Sequence, residues 1–147
     1  MRAAGQVVAC CLRDIVSQIE PGKTTTRDID VMAEELLKKY GARSSFKNYR
    51  GYPNTVCVAV NEEVVHGIPG SRILVPGDIV GIDLGAIVDG WHGDSAVTVP
   101  VGGVASEEAS RLLKIGREAL YKGIEMARPG NRLSDIGHAI QKHVEKN

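Results

Sequence analysis

The chain has 147 residues, of which 43% are hydrophobic, so one domain or a large part of a bigger one is expected, with a real core rather than a disordered chain. Basic and acidic residues number 18 each with no basic block, which argues against nucleic acid and anionic membranes as partners. No stretch resembles a signal peptide or a membrane span, and the three cysteines fit free thiols in a reducing compartment, so a cytoplasmic protein is predicted.

Two helices are predicted at the start of the chain. Apolar residues recur at helical spacing over residues 2–20, and Pro21-Gly22 ends that helix. Thr25 and Asp28 form a capping-box pattern that begins a second helix, which continues to residue 40.

The middle of the chain is predicted to form strands. After a loop at 44–55, VCVAVN (56–61) predicts a strand and VVHGIPG (64–70) predicts a strand edge with a turn. Residues 79–84 and 91–101 predict two more strands. Helices return from Ser106, an N-cap residue, and a last helix is predicted to be capped by Ser134.

The two helical regions share one order of features. A helix, a Pro-Gly pair, a short polar loop and an Asp-Ile pair at a helix start occur in both, with Asp28 and Asp135 in matching places. This order predicts a first half-repeat at 1–105 and the opening helices of a second at 106–147. The alternative is coincidence, because Pro-Gly between helices is common.

Two aspartates stand where buried strands normally carry apolar residues. Asp-Gly at 89–90 predicts a tight hairpin, which pairs Asp83 with Ala96 and Asp94 with Gly85. Asp83 and Asp94 are then diagonal neighbours on one face, with Cβ atoms about 7 Å apart.

Two carboxylates this close repel each other and lose hydration. They are tolerated when they share a proton or when a cation lies between them, and paired carboxylates are suitable ligands for one or two divalent ions. The alternative is that both side chains lie on a solvated face.

Two ordered motifs resemble those of type I methionine aminopeptidases. They are GYPNTVCVAVNEEVVHGIPG (51–70) and GDIVGIDLGAIVDGWHGDSAVTVPVG (77–102), and the similarity extends over essentially the whole chain. The resemblance implies an α+β pita-bread (creatinase/aminopeptidase-like) fold, with an antiparallel sheet, flanking helices and an incomplete second half. It also implies a dinuclear metallohydrolase that removes the initiator methionine and uses two divalent metal ions, which could be Mn, Fe, Co or Zn.

The same resemblance implies roles for individual residues. Asp83 and Asp94 would be metal ligands, and His66 would be a catalytic residue that hydrogen-bonds the substrate. A methionine pocket would be lined by Phe46, Tyr49, Tyr52 and Cys57, since aromatic rings and a thiol suit a thioether. Without the motif, His66 reads as a turn histidine and the pocket cluster as plain core. His92 is interpreted as a supporting residue, and His138 and His143 as surface residues.

The chain also departs from the family pattern. The family completes its metal site with one His and two Glu from a second half, which also carries a further substrate-facing His, and these motifs are absent here, as is a short lead-in at the N-terminus. The chain is therefore expected to be the N-terminal part of such an enzyme and inactive alone. The implied partners are peptide or nascent-chain N-termini, the ribosome as a further candidate, and the missing half or a second copy packed on this chain. The alternatives are a non-catalytic binding module of the same fold and a half that pairs with itself.

Overall fold

The computed structural model describes residues 1–103 and 105–147. The chain divides into two compact units, Met1–Ala105 and Ser106–Asn147. The interpretation of residues 1–105 as a first half-repeat and of 106–147 as the opening helices of a second stays a prediction.

The first unit begins with two helices, α1 (Arg2–Ser17) and α2 (Thr26–Lys39). The predicted capping box at the start of α2 is confirmed. The Asp28 backbone N–H donates to Thr25 Oγ1 at 3.1 Å, and the Thr25 backbone N–H donates to Asp28 Oδ2 at 2.8 Å. These bonds satisfy donors that a helix start otherwise leaves free, so the sequence pattern fixes where α2 begins.

Four strands follow, all paired antiparallel: β1 (Arg43–Ser44), β2 (Val56–Val60), β3 (Ile79–Val88) and β4 (Trp91–Pro100). β3 lies in the middle, with β4 along one side and with β2 and β1 along the other. Short 3₁₀ turns occupy Tyr49–Gly51 and Val101–Gly103. The predicted α+β class, an antiparallel sheet with flanking helices, is confirmed for this unit. The two-residue β1 had no signal in the sequence.

The sheet has one face packed in the core and a second face that carries the two aspartates. Val80, Ile82 and Leu84 of β3 are fully buried, and together with Val56, Val58 and Val60 they belong to one core with α1 and α2. The intervening positions point the other way because successive side chains of a strand alternate. That other side bears Cys57, Asp83, Gly85, Asp94 and Ala96, and is called the carboxylate face below.

The strand edge predicted at 64–70 is wrong. This segment has no strand, and Val64 and Val65 are exposed. It touches β2 through one backbone hydrogen bond, from the Val58 N–H to the Gly67 carbonyl at 3.0 Å. His66 has a φ of 58°, which turns the chain out of the extended course that a strand requires.

The second unit is a pair of helices, α3 (Glu107–Met126) and α4 (Leu133–Lys146). Ser106 caps α3 as predicted, since its side chain accepts from the Ala109 N–H at 3.1 Å. Ser134 is not the cap of α4, because it lies inside the helix. Instead, the Arg132 N–H donates to Asp135 Oδ2 at 2.7 Å, as the Thr25 N–H does to Asp28.

The two histidines of α4 differ from each other. His138 is exposed, as predicted. The surface prediction for His143 is wrong, because its side chain is only 19% exposed and its Nε2 lies 3.0 Å from Glu118 Oε2 of α3. Within the described residues, no helix is long and apolar enough to cross a membrane.

Candidate metal and substrate site

The hairpin between β3 and β4 places the two aspartates. Asp89 and Gly90 have φ values of 50° and 78°, the left-handed conformation that an Asp-Gly hairpin turn needs. The register pairs Asp83 with Ala96 and Gly85 with Asp94. The predicted register is therefore confirmed, and Asp83 and Asp94 are diagonal neighbours on the carboxylate face.

The surroundings of Asp83 favour its neutral form. Burial, the charge of Asp94 and a hydrogen bond with the Asp94 side chain raise the pKa of Asp83 to about 6, and the charge of His66 acts in the opposite direction. Asp94 itself is exposed. A group held half-buried beside another carboxylate in this way gains from a bound cation, because a positive charge relieves both the repulsion and the lost hydration.

Cys57 lies directly opposite Asp83 across the β2–β3 ladder. Its side chain is 6% exposed. Burial and the charges of Asp83 and Asp94 raise the pKa of this thiol, while a hydrogen bond with Tyr52 opposes the rise. The group thus remains a neutral, weakly polar thiol beside the two carboxylates.

The aromatic residues of the predicted pocket occupy different surroundings. The Phe46 ring lies against Gly85, with Cε1 2.6 Å from the position that a Cβ on Gly85 would take. Since Gly85 is opposite Asp94, Phe46 is on the carboxylate face. Tyr52 is half-buried next to Cys57, and burial followed by the Cys57 thiol raises the pKa of its hydroxyl. Tyr49 is 64% exposed, so its place in a pocket stays a prediction.

His92 is held at one end of this face. Its Nδ1 lies 3.1 Å from the Ser45 hydroxyl, and the Ser45 N–H donates to the Gly85 carbonyl at 3.0 Å. These contacts fit the supporting role predicted for His92.

Sequence reasoning missed Asp30 of α2, which fixes the loop before β2. Its carboxylate accepts from Asn54 Nδ2 at 2.7 Å, from the Thr55 N–H at 2.7 Å and from the Val56 N–H at 3.2 Å. A polar residue in the middle of a helix gives no local signal of partners 24 or more positions away. Asp30 thereby fixes the backbone at the start of β2, the strand that carries Cys57.

The donor set near the two aspartates is suitable for a divalent metal but small. Carboxylate oxygens are hard ligands that bind divalent ions well. Among residues 1–103 and 105–147, no group of three or more His, Cys, Asp or Glu side chains is arranged to hold a metal ion. Asp83 and Asp94 are thus a pair of ligands rather than a complete coordination shell.

Comparison with known proteins gives close relatives along the whole chain. It is 52% identical over 145 residues to methionine aminopeptidase 1 of Bacillus subtilis and 48% identical over 146 residues to a methionine aminopeptidase of Clostridium acetobutylicum. Each alignment covers 99% of this chain but 58% of the relative, so the chain spans little more than half the length of these curated proteins.

Solved structures agree with these relatives. Methionine aminopeptidase from Thermotoga maritima superposes with a TM-score of 0.94 at 44% identity, over 99% of this chain and 58% of that one. Prolidase from Pyrococcus furiosus, at 20% identity and a TM-score of 0.83, shares the fold, over 98% of this chain and 41% of that one. The predicted pita-bread class is therefore confirmed.

The model of metallopeptidase family M24 matches residues 1–147. The match covers the helices, the carboxylate hairpin and the His66 segment alike. The resemblance inferred from the two motifs is confirmed, and the chain belongs to metallopeptidase family M24.

Proposed function

We propose that this chain forms the carboxylate half of a metal-dependent aminopeptidase that removes N-terminal methionine. The observation that carries the proposal is the pairing of Asp83 and Asp94 on one sheet face, in a chain 52% identical to a methionine aminopeptidase. The substrate is the N-terminus of a peptide or nascent chain, with the ribosome as a further partner and the cytoplasm as the location.

Asp83 and Asp94 are proposed to hold two divalent ions, with Mn, Fe, Co and Zn as the candidates. When bound, such ions supply Lewis-acid polarisation of the scissile carbonyl and activation of water. Bound cations would offset the mutual repulsion of the two carboxylates, so that Asp83 would ionise although it is half-buried.

The other residues of the site are proposed to act on the substrate. The charge of His66 opposes the rise in the pKa of Asp83 that burial and Asp94 cause. The imidazole of His66 donates a hydrogen bond near the scissile peptide. Phe46, Tyr52 and Cys57 form an apolar surface beside the carboxylates, and Tyr49 extends it at the rim. Aromatic rings and a neutral thiol favour an unbranched thioether over a charged side chain.

The 147-residue chain alone is proposed to be inactive. Two carboxylates offer at most four oxygens, whereas two divalent ions need about eight ligands or more between them. If both carboxylates bind metal, neither remains free to accept the proton of the attacking water. Further ligands and a general base must come from outside the described site.

The decisive experiment measures metal binding and methionine release in matched variants. Mn²⁺ is titrated calorimetrically into the chain. Methionine release from Met-Ala-Ser is assayed in a chimera, in which residues 1–147 of this chain replace the matching region of a longer relative. The chimera takes the remainder from the Bacillus subtilis relative. Asp94→Asn is expected to weaken Mn²⁺ binding about tenfold or more and to abolish release, since a lost charge on a ligand weakens hard-ion binding.

Asp89→Asn is the matched control. It removes a carboxylate from the same hairpin, but at an exposed turn position that asparagine also favours. Equal metal binding in Asp94→Asn and Asp89→Asn would refute the metal site. Metal binding by a wild-type chimera that releases no methionine would favour the binding-module alternative.

His66→Ala tests the substrate role separately. Loss of a hydrogen bond made mainly in the transition state is expected to lower kcat by about 10- to 100-fold, while the metal content of the chimera stays within about twofold of wild type. A variant that loses its metal in proportion to its activity would make His66 a ligand instead.

A further inference from the structure

The hydroxyl of Tyr52 lies within hydrogen-bond distance of two backbone carbonyls. It lies 3.0 Å from the carbonyl oxygen of Val56, at the start of β2, and 3.1 Å from that of Gly67. Gly67 is 15 residues away in sequence and directly follows His66. One tyrosine therefore connects the loop before β2 with the segment that carries His66.

The Gly67 carbonyl is the point at which the His66 segment is fixed to β2. Among the described residues, the hydrogen bonds made by residues 64–69 are the two that reach this oxygen, from the Val58 N–H at 3.0 Å and from Tyr52. Val64, Val65 and Ile68 are 87%, 65% and 65% exposed, so burial adds little beside His66. The next anchor along the chain is at buried Pro69 and at Gly70, whose carbonyl accepts from the Arg27 N–H of α2 at 2.9 Å.

The fit at Gly67 leaves no space for a side chain. A Cβ there would lie 2.1 Å from the Val58 carbonyl oxygen. His66, immediately before it, has a φ of 58°, a conformation that costs free energy for any residue with a Cβ. Such a conformation persists only where neighbouring contacts hold it, and here the contacts next to His66 converge on one carbonyl.

We propose that the Tyr52 hydroxyl is a positioning group for His66. The Tyr52 ring contributes to the substrate surface, and its hydroxyl holds the Gly67 carbonyl against β2, which fixes the backbone that orients the His66 imidazole. This inference rests on the proposed function in one respect, the role of His66 toward substrate. The hydrogen bond from the Tyr52 hydroxyl to the Gly67 carbonyl is a property of this chain, and its effect is measured without catalysis.

Tyr52→Phe separates the two roles of this residue, because it retains the ring and removes the hydroxyl. Tyr40→Phe is the matched control. The Tyr40 hydroxyl bonds Asp14 Oδ2 at 3.2 Å, and Tyr40 packs against the core on the side of α1 and α2. Both variants lose one partly buried tyrosine hydroxyl, but only Tyr52→Phe removes the contacts with the Val56 and Gly67 carbonyls.

The first measurement is amide hydrogen exchange in the 147-residue chain. Tyr52→Phe is expected to speed exchange of the Val58 amide about 3- to 10-fold, with the β3 amides unchanged, since a typical hydrogen bond contributes about that factor. Gly67→Ala, which keeps Tyr52 but displaces the carbonyl, is expected to give the same local increase. Wild-type exchange at Val58 in Tyr52→Phe would overturn the proposal.

The second measurement uses the chimera. Tyr52→Phe is expected to lower kcat about tenfold while KM and metal content stay within about twofold of wild type, because a misplaced hydrogen-bond donor loses transition-state stabilisation. Tyr40→Phe should match wild type. A raised KM with unchanged kcat would show that Tyr52 contacts the substrate but does not position His66. If the wild-type chimera releases no methionine, the proposed function fails, and the exchange measurement still decides whether Tyr52 holds His66.

Discussion

Asp83 occupies a position where burial and a like charge act in the same direction. Both raise its pKa, to about 6 from a reference value of 3.8. The folded chain therefore binds the Asp83 proton more tightly than the unfolded chain. The protonated Asp83 carboxyl contributes its full stabilisation of the fold below pH 3.8, and this stabilisation is lost as the pH rises through about 6.

A metal-free comparison of wild type with Asp83→Asn tests this shift. Asparagine does not titrate, so the variant should gain stability relative to wild type as the pH rises from about 4 to about 7. Urea midpoints of both proteins in a chelator, measured across that range, give the difference. Two curves that remain parallel would contradict a raised pKa for Asp83.

At the scale of elements, β4 packs against α1 through a glycine. A Cβ on Gly93 would lie 2.6 Å from the backbone nitrogen of Gly5 and 2.6 Å from the carbonyl carbon of Ala4. The helix therefore lies directly on the strand backbone. Gly5 itself has open space where its Cβ would be.

These two glycines predict opposite effects at one interface. Gly93→Ala should destabilise the chain by about 1–3 kcal/mol, because the helix must move to admit a methyl group. Gly5→Ala should stabilise it by about 0.5–1 kcal/mol, since alanine is the better helix former. Urea unfolding of both variants is the measurement. A stable Gly93→Ala variant would show that α1 can shift at low cost.

Features encoded by neighbouring residues were predictable from the sequence. The capping box of α2 depends on residues three apart, and the β3–β4 register follows from the turn residues Asp89 and Gly90, so both predictions are confirmed. The same register placed Asp83 and Asp94 on one face. Ser134 failed as a cap because Arg132 and Asp135 offer an equivalent bond two residues earlier.

Features that depend on the path of a loop were not predictable. The segment at 64–70 has the β-branched residues of a strand, yet it meets β2 at one carbonyl only. The bonds that Asp30 accepts and the bond that Tyr52 donates to Gly67 join residues far apart in sequence, so no spacing rule indicates them. The roles of the site residues came from the family resemblance and remain predictions.

At the scale of the whole molecule, the second unit leaves apolar side chains on α3 in solvent. Leu112, Leu120 and Ile124 are 62%, 56% and 55% exposed. Exposed apolar clusters of this kind favour association. We predict that the chain self-associates at concentrations of about 10–100 μM, which is a modest affinity for a surface of a few side chains.

Sedimentation velocity of matched variants tests this expectation. Leu112→Gln with Leu120→Gln should return the chain to a monomer, because glutamine keeps the helix and removes the apolar surface. Arg117→Gln, at an exposed position of the same helix, is the control and should associate like wild type. A wild-type chain that sediments as a monomer throughout would exclude association through α3.

The alternation along β3 has a consequence for how such a chain can change over evolutionary time. Val80, Ile82 and Leu84 carry the folding free energy of this strand, while Gly81, Asp83 and Gly85 between them face away from the core. Selection for foldability and selection for chemistry therefore act on separate, interleaved sets of positions. Substitutions at the positions that face away from the core leave the core-facing positions intact. One scaffold can therefore acquire new specificities by point mutation without passing through unfolded intermediates.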